Sequence, residues 1–283
     1  MSIRKVMFAD SWYPGSAKEC EKEIEFFLKE KNNVTGDFIG GIVPHAGWYF
    51  SGSTACNVIH FLKDKTPPEV IIVFGMHLAP NSPCYIMKKG AWETPFGEIQ
   101  IEEDFTSRLM DKFGFIIDSP GVFSQDNTIE LQLPFIKYFF NDVKIVPIGV
   151  PPAEIAVETG RYIAEISKES LLNVKVLGST DLTHYGYNYD FTPKGTGKNS
   201  FDWAKNKNDR KIIDLMLKMD PDKVIAEALL HKNACCSGAA AASIAAVSAL
   251  GADNAGLVKY ASSYDKSPNE SFVGYAGILF NKT

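Results

Sequence analysis

The sequence lacks the features that mark several large classes of protein. It has no block of lysine and arginine, and its formal net charge of −5 gives no general attraction to nucleic acids or anionic membranes. The first residues, MSIRKVMFADSWYPGS, contain no apolar core of a signal peptide. The longest run of small apolar residues, 238–252, is too short to span a bilayer and predicts a buried helix. We therefore expect a cytoplasmic protein that binds neither nucleic acid nor membrane.

Cysteine is scarce as well. Five cysteines, an odd number without regular spacing, argue against the disulfide framework of a small secreted domain. Cys235 and Cys236 lie where one predicted helix ends and the Ala-rich helix begins. A thiolate near a helix N-terminus has a lowered pKa and is a good metal ligand. Two small apolar fillers at a tight turn fit the composition equally well, so both interpretations of this pair stay open.

Catalytic motifs with a recognisable spacing are also missing. The chain has no glycine-rich phosphate loop, no G-x-S-x-G nucleophile elbow and no H-E-x-x-H zinc motif. Ser179 is close in sequence to Asp181 and His184, but a triad serine at such a position would require the elbow glycines. We therefore do not expect a phosphate-loop nucleotide site or a serine hydrolase.

The sequence does contain an alternation of apolar strand-like runs and helical patterns. Continuous β-branched runs between helices predict a largely parallel sheet that is covered on both faces. A hairpin is predicted within 84–101, and two further strands at 256–263 and 272–280. No linker or repeat divides the 283 residues. We predict a single α/β domain over 1–283, a three-layer sandwich with a mixed, largely parallel central sheet and helices on both faces.

Histidines follow three of these strand-like runs. His45, His77 and His184 each come after an apolar run, and Asp181 precedes His184 by three residues. In parallel sheets, ligands bind beyond the carboxyl ends of the strands, so we expect these side chains to meet at one edge. Imidazole suits iron, zinc and copper, and open metal sites take two or three protein ligands. For Asp181, an Asx-turn or a helix cap is the alternative role.

Seven motifs resemble, in order and spacing, those of the Memo family, which is also called AmmeMemoRadiSam system protein B. They are FADSWYPGS (8–16), VPHAGWYFSG (43–52), FGMHLAP (74–80), DNTIELQLPF (126–135), STDLTHYG (179–186), NACCSGA (233–239) and VGYAG (273–277). Members of this family in turn resemble the class III extradiol ring-cleaving dioxygenases, whose LigB-like fold holds a non-haem Fe(II). The resemblance covers nearly the whole chain and implies the same fold and a metal centre.

The resemblance also assigns roles to individual residues. By position, His45 and His77 match the two metal-site histidines of the family, and Cys235 matches its metal-site cysteine. Asp181 and His184 match an aspartate and a histidine that line the same cavity, which implies catalytic roles, with His184 as the acid or base. The dioxygenases carry a carboxylate where Cys235 falls. The resemblance therefore implies Fe(II) as the first expected metal, with Cu or Zn also accepted by the softer thiolate.

Other residues near the motifs are predicted to line a pocket above the metal. Equally, such aromatic residues are common as core and rim fillers. Asn127 and Gln132 stand where many relatives carry histidine, and an amide side chain does not shuttle protons. The predicted pocket residues are Trp12, Tyr13, Trp48, Tyr49, Glu130 and Tyr185.

Three functions remain open on this basis. The first is a metal-dependent oxidoreductase of the extradiol dioxygenase type, acting on an unknown small molecule. The second is a non-catalytic binding protein on a retired dioxygenase fold, since a eukaryotic relative is associated with phosphotyrosine-peptide binding. The third is a zinc-dependent hydrolase. The absence of an arginine cluster favours a redox role over phosphopeptide binding. The name of the family's system implies radical-SAM companions as partners.

Overall fold

The computed structural model describes residues 2–30, 34–63, 66–119, 121 and 125–283. In this part of the chain, the strands are β1 Ile3–Arg4, β2 Phe38–Val43, β3 Val70–Gly75, β4 Tyr85–Ile86, β5 Ala91–Thr94, β6 Gly97–Gln100, β7 Ile116–Ile117, β8 Lys144–Gly149, β9 Val174–Ser179, β10 His184–Tyr185, β11 Asn254–Ser262 and β12 Phe272–Asn281. The helices are α1 Ala17–Leu28, α2 Ser53–Phe61, α3 Glu103–Phe113, α4 Asn127–Glu130, α5 Leu133–Phe139, α6 Glu154–Ser170, α7 Lys198–Trp203, α8 Asp209–Leu217, α9 Pro221–His231, α10 Ser237–Leu250 and α11 Ser263–Lys266. Two π-helical turns, Trp48–Gly52 and Ala204–Asn208, and a 3-10 turn, Tyr187–Tyr189, complete the elements.

The central sheet is mixed, with a parallel centre. Its strand order is β10-β12-β2-β9-β3-β8-β4-β7, and β11 pairs with β12 outside this path. Strands β2, β9, β3 and β8 are mutually parallel neighbours. Strand β12 runs antiparallel to β2 on one side, and β4 runs antiparallel to β8 on the other. This arrangement confirms the predicted α/β class.

Helices cover both faces of this sheet. Successive residues of a strand point to opposite faces. Accordingly Ile42 packs into one hydrophobic cluster with residues of α6 and α10, whereas Val43 packs into a second cluster with residues of α1, α2 and α5. The two clusters are the two interfaces of a three-layer sandwich.

The Ala-rich helix packs closely against α6. Helix α10 is buried from Ser237 to Val247, as its composition predicted. A Cβ atom on Gly160 of α6 would lie 2.2 Å from the carbonyl oxygen of Ala242. Small residues on both helices therefore allow backbone contact, which a larger side chain would prevent.

The region 84–101 departs from the single predicted hairpin. Only β5 and β6 form a hairpin, and β1 pairs with β5 to make a separate three-stranded sheet. Strand β4 joins the central sheet instead. The divide falls at Gly90, whose φ of +101° favours glycine and whose absent Cβ makes room for the carbonyl of Ser2.

The sequence patterns at 16–31 and 53–64 predict two helices. In the structure, helix α1 ends at Leu28 and α2 ends at Phe61, and residues 31 and 64 lie outside the described residues. No helix in the described part of the chain is long and apolar enough to cross a membrane.

The strand order places the predicted site. Strands β2, β9 and β3 are adjacent and parallel, so their carboxyl ends lie at one edge of the sheet. His45 follows β2, His77 follows β3, and Asp181 and His184 follow β9. The edge of the sheet therefore brings together residues that are more than 130 positions apart in the sequence.

Candidate metal centre and cavity

His45 is the most constrained side chain at this edge. Its ring is 1% exposed, and its Nδ1 atom lies 3.0 Å from the Ser179 hydroxyl. That hydroxyl donates its only hydrogen to the carbonyl oxygen of Thr128 at 2.7 Å. The serine oxygen must therefore accept from His45 Nδ1–H. This leaves Nε2 as the nitrogen that is directed at Cys235 Sγ, 3.2 Å away.

His77 is fixed by an acidic partner. Asp126 Oδ2 accepts the backbone N–H of His77 at 3.2 Å and lies 3.4 Å from its Nδ1 atom. A carboxylate only accepts, so Nδ1 carries the hydrogen, and Nε2 is again the free ligand atom. Asp126 is itself held as the N-cap of α4, where it accepts from the backbone of Thr128 at 2.9 Å. The rings of His45 and His77 lie edge to face, with centroids 4.9 Å apart.

Cys235 lies between α9 and α10 and presents a thiolate. Its sulfur accepts from the backbone N–H of Asp181 at 3.3 Å, and its own N–H donates to the Asp181 carbonyl at 3.1 Å. Burial raises the pKa of Cys235, but donation from Cys236 and the nearby imidazoles outweigh burial and hold the pKa well below its usual range. The Cys236 thiol, 3.8 Å away, has a raised pKa because it is buried beside that thiolate.

These groups form a set of converging ligand atoms. The nitrogen and sulfur atoms of His45, His77, Cys235 and Cys236 all lie within 4.8 Å of one another. For a metal bound at about 2.0–2.3 Å, an imidazole nitrogen and a sulfur at 90–110° stand about 3.1–3.6 Å apart. The observed 3.2 Å between His45 Nε2 and Cys235 Sγ agrees with that spacing. The donor set and both tautomers therefore fit a transition-metal ion.

The electrostatics of the cluster favour a cation. Burial lowers the pKa of His45, but Asp181 and Cys235 outweigh burial and raise it. Asp126 and Cys235 likewise outweigh burial and raise the pKa of His77 to about 10. The raised imidazole pKa values reflect the negative charges of Asp126, Asp181 and Cys235, and the same charges would stabilise a bound metal ion.

Asp181 and His184 face the same space. Asp181 is 3% exposed; its Oδ1 accepts the backbone N–H of His45 at 2.7 Å, and its Oδ2 lies 3.9 Å from His45 Nε2. Burial raises the pKa of Asp181, and the charge of His45 opposes this. The Nδ1 atom of His184 lies 3.1 Å from the carbonyl of Leu182, so Nδ1 is the donor and Nε2 is free to exchange a proton.

A cavity of about 610 Å³ opens above these residues. His45, His77, Asp181 and His184 lie in its wall. Trp12 and Tyr49 line it as predicted, and Tyr189 and Tyr275 line it without having been predicted. Serines and an asparagine form further parts of the wall: Ser11, Ser263, Ser267, Asn269 and Ser271.

Two predicted pocket residues are core residues instead. Trp48 is 2% exposed and stacks on Phe135 with centroids 4.0 Å apart. Tyr185 is fully buried, stacks on Phe272 and donates to the carbonyl of Gly195. Trp48 and Tyr185 point away from the cavity because each adjoins a cavity residue in sequence. Neighbouring side chains of a helical turn or a strand point in different directions.

Tyr13 and Glu130 also do not line this cavity. Both are buried, and the Tyr13 hydroxyl donates to Glu130 at 2.9 Å. The same Glu130 oxygen accepts the backbone N–H groups of Met7 and Phe8, each at 2.8 Å. This carboxylate therefore attaches the N-terminal segment to α4 rather than taking part in the site.

Asn127 and Gln132 support His45 from outside the ligand set. Asn127 Nδ2 donates to the carbonyl of His45 at 2.8 Å, and Gln132 Nε2 donates to that of Pro44 at 2.9 Å. Sequence reasoning passed over the positioning roles of Asp126 and Ser179. An aspartate directly before a short helix is a recognised N-cap signal, which could have drawn attention to Asp126. The contact of Ser179 with His45 has no local signature.

Comparison with known proteins agrees with the motifs. The family model described as Memo-like protein matches residues 4–279. The chain is 32% identical over 294 residues to a MEMO1 family protein of Methanopyrus kandleri, and 32% identical over 293 residues to one of Pyrobaculum aerophilum, with 99% of each chain covered in both comparisons. An uncharacterized protein of Escherichia coli K12 superimposes with a TM-score of 0.49 at 11% identity, covering 84% of this chain and 98% of that one. The chain belongs to the Memo-like protein family.

Proposed function

We propose that the protein is a metal-dependent oxidoreductase whose metal ion is bound by His45, His77 and Cys235 and whose substrate is a small molecule without negative charge. The observation that carries this proposal is the pair of fixed tautomers. Both histidines are oriented by acceptors on Nδ1; His45 Nε2 lies 3.2 Å from the Cys235 sulfur, and a ring nitrogen of His77 lies within 4.8 Å of both. Ligating histidines in metalloproteins are held in the same way by a second layer of hydrogen bonds.

Fe(II) is the first metal we propose, with Cu or Zn as alternatives. Two imidazoles and one anionic ligand with open positions resemble the facial arrangement of non-haem iron enzymes, although the thiolate makes this set softer. When bound, such an ion would supply open coordination positions and a path for electrons between substrate and oxidant.

The chain itself supplies proton transfer and positioning. His184 lies in the cavity wall with its Nδ1 on the Leu182 carbonyl, so its Nε2 can take a proton from a bound hydroxyl group or return one. Asp181 holds the backbone of His45 and contributes negative charge beside the ligands. We therefore assign the role of acid or base to His184, and to Asp181 the role of a negative charge beside the ligands.

Size and charge of the cavity favour a small uncharged substrate. A volume of about 610 Å³ falls within the range of about 300–1,000 Å³ that is usual for small-molecule sites. Among the described residues, no lysine or arginine lines this cavity, and Asp181 adds negative charge. A phosphorylated peptide would find no lysine or arginine here to pair with its phosphate, which counts against the binding-protein alternative.

Metal content and oxygen consumption test the proposal. Protein purified without oxygen is analysed for metal, and oxygen uptake is measured with a panel of catechols as neutral probes. We expect about one iron per chain, lost in His77→Ala and Cys235→Ala but retained in His231→Gln, a half-buried histidine at the end of α9 that serves as the control. His184→Gln should retain iron and lose oxygen uptake.

The other outcomes separate the alternatives. One zinc per chain without oxygen uptake would refute the oxidoreductase and support the zinc hydrolase. Protein that binds none of the three metals with measurable affinity would refute the metal centre and leave a binding role.

A further inference from the structure

A buried carboxylate lies directly behind the turn that carries Asp181 and His184. Asp209 is the first residue of α8 and is 1% exposed. Its Oδ1 atom accepts from the backbone N–H of Thr183 at 3.0 Å and from the Thr183 hydroxyl at 2.5 Å. Thr183 precedes His184 and is itself fully buried. Two bonds to one oxygen thus hold the residue next to the proposed acid or base.

The carboxylate is fixed from the other side as well. The Tyr260 hydroxyl of β11 donates to Asp209 Oδ2 at 2.8 Å. Gly274 of β12 lets the same oxygen approach the backbone, because a Cβ atom there would lie 2.1 Å from it. The residue before Gly274, Val273, is the strand partner of His184. Asp209 is therefore enclosed by the turn, by β11 and by β12.

An irregular turn brings a second side chain to Thr183. The π-helical turn Ala204–Asn208 ends one residue before Asp209, and Asn208 Nδ2 donates to the Thr183 hydroxyl at 3.0 Å. The threonine oxygen thus accepts from Asn208 and donates to Asp209 with no choice of orientation. π-Helical turns are often found at functional sites, and here the turn directs two consecutive polar side chains at one threonine.

We infer that Asp209 is a positioning residue of the site: through Thr183 it fixes the turn between β9 and β10 so that His184 keeps its Nδ1 on the Leu182 carbonyl and its Nε2 in the cavity. This inference rests on the proposed function, in which His184 transfers the proton. Asp209 acts on His184 indirectly, because its contacts are with Thr183, Tyr260 and the backbone of Gly274. Burial disfavours the charged form of a carboxylate, so a buried aspartate that only filled space would destabilise the fold.

The tautomer of His184 is the decisive measurement. Which ring nitrogen carries the hydrogen is set by the partner of the other nitrogen. In the full chain labelled with ¹⁵N-histidine and freed of metal by a chelator, we expect the Nδ1–H tautomer of neutral His184. His184→Gln assigns the signal. Asp209→Ala and Thr183→Val should release the turn, so that the Nε2–H tautomer becomes populated. Thr183→Val keeps the side-chain volume and serves if Asp209→Ala fails to fold.

Tyr260→Phe is the matched control. It removes a hydrogen bond from the same carboxylate but leaves both bonds to Thr183, so the His184 tautomer should not change. In oxygen uptake, Asp209→Ala should lower kcat by about 10- to 100-fold with metal content unchanged. A His184 tautomer that is the same in wild type, Asp209→Ala and Thr183→Val would overturn the inference. So would an equal change in Tyr260→Phe. Both tautomer measurements use metal-free protein and need no activity assay. A failure of this inference can therefore be distinguished from a failure of the proposed function.

Discussion

Replacing Ser179 with alanine removes one hydroxyl from beneath the proposed metal site. In the wild-type chain this hydroxyl accepts from His45 Nδ1 at 3.0 Å and donates to the Thr128 carbonyl at 2.7 Å. The serine is fully buried, and the His45 side chain is 1% exposed, so water has little access to replace it. Ser179→Ala therefore leaves the Nδ1–H of His45 without its acceptor, or lets the ring move its hydrogen to Nε2.

The size of the effect follows from the cost of an unpaired buried donor. Leaving such a group unsatisfied costs about 1–3 kcal/mol. If the hydrogen moves to Nε2 instead, it must be displaced when a metal binds. Loss of an outer-shell partner typically lowers metal affinity by about 10- to 100-fold, which corresponds to about 1.4–2.8 kcal/mol. Because the metal-free ring can avoid the unpaired donor by moving its hydrogen to Nε2, we expect most of the cost to appear in metal binding.

The assay is competition for Zn²⁺ against a chromophoric chelator, with urea unfolding of the metal-free chain beside it. Ser167→Ala is the control, because this buried serine on α6 also donates to a carbonyl, that of Ile163 at 2.7 Å, away from the histidines. We expect a Kd raised about 10- to 100-fold in Ser179→Ala and unchanged in Ser167→Ala. Wild-type affinity in Ser179→Ala would refute the view that this serine selects the ligand nitrogen of His45.

Three further predictions concern other parts of the network. Asp126→Asn removes the charge that orients His77 and should weaken Zn²⁺ binding about 10- to 100-fold, whereas Asp220→Asn, at the exposed N-cap of α9, should not change the chelator titration. Trp48→Ala should cost about 3–5 kcal/mol in urea unfolding, because the ring is buried against Phe135; a loss below 1 kcal/mol, about the value for a surface change, would contradict its place in the core. Burial raises the pKa of Asp209 to about 6. Because the folded pKa lies above the unfolded value of about 3.9, the free energy of unfolding of the wild type falls by about 3 kcal/mol as pH rises from about 4 to 6. Asp209→Asn should not lose this stability. A stability difference between the two proteins that stays constant over this pH range would contradict the raised pKa of Asp209.

The meeting of His45 and His77 at one edge of the sheet could be predicted because its signal is local. Each of His45 and His77 follows an apolar run that predicts a buried strand, and adjacent parallel strands end at the same edge. For Cys235, its place before the Ala-rich helix left two interpretations open, and the family resemblance favoured the metal ligand. The observed cluster of these three with Cys236 follows from that topology.

The pocket wall could be predicted only in part, because a motif does not say which way its aromatic residues point. Trp48 and Tyr49 are neighbours in one π-helical turn, yet the first is 2% and the second 64% exposed. Both identities fit a core or a cavity, and only the packing of α1 and α5 against this turn decides between them. Tyr189 and Tyr275 reach the cavity from a 3-10 turn and from β12, and neither was among the predicted pocket residues.

The sequence by itself determined the α/β class, the buried Ala-rich helix and the strand ends at which His45, His77, Asp181 and His184 lie, because hydrophobic periodicity is a property of neighbouring residues. Only the tertiary structure decided which nitrogen of each histidine is free. That choice depends on Ser179, Asp126 and the Leu182 carbonyl. Ser179 is 134 residues from His45 in the sequence, and Asp126 is 49 residues from His77. Hydrogen-bond partners at such separations are set by strand order and register, which a local pattern does not contain.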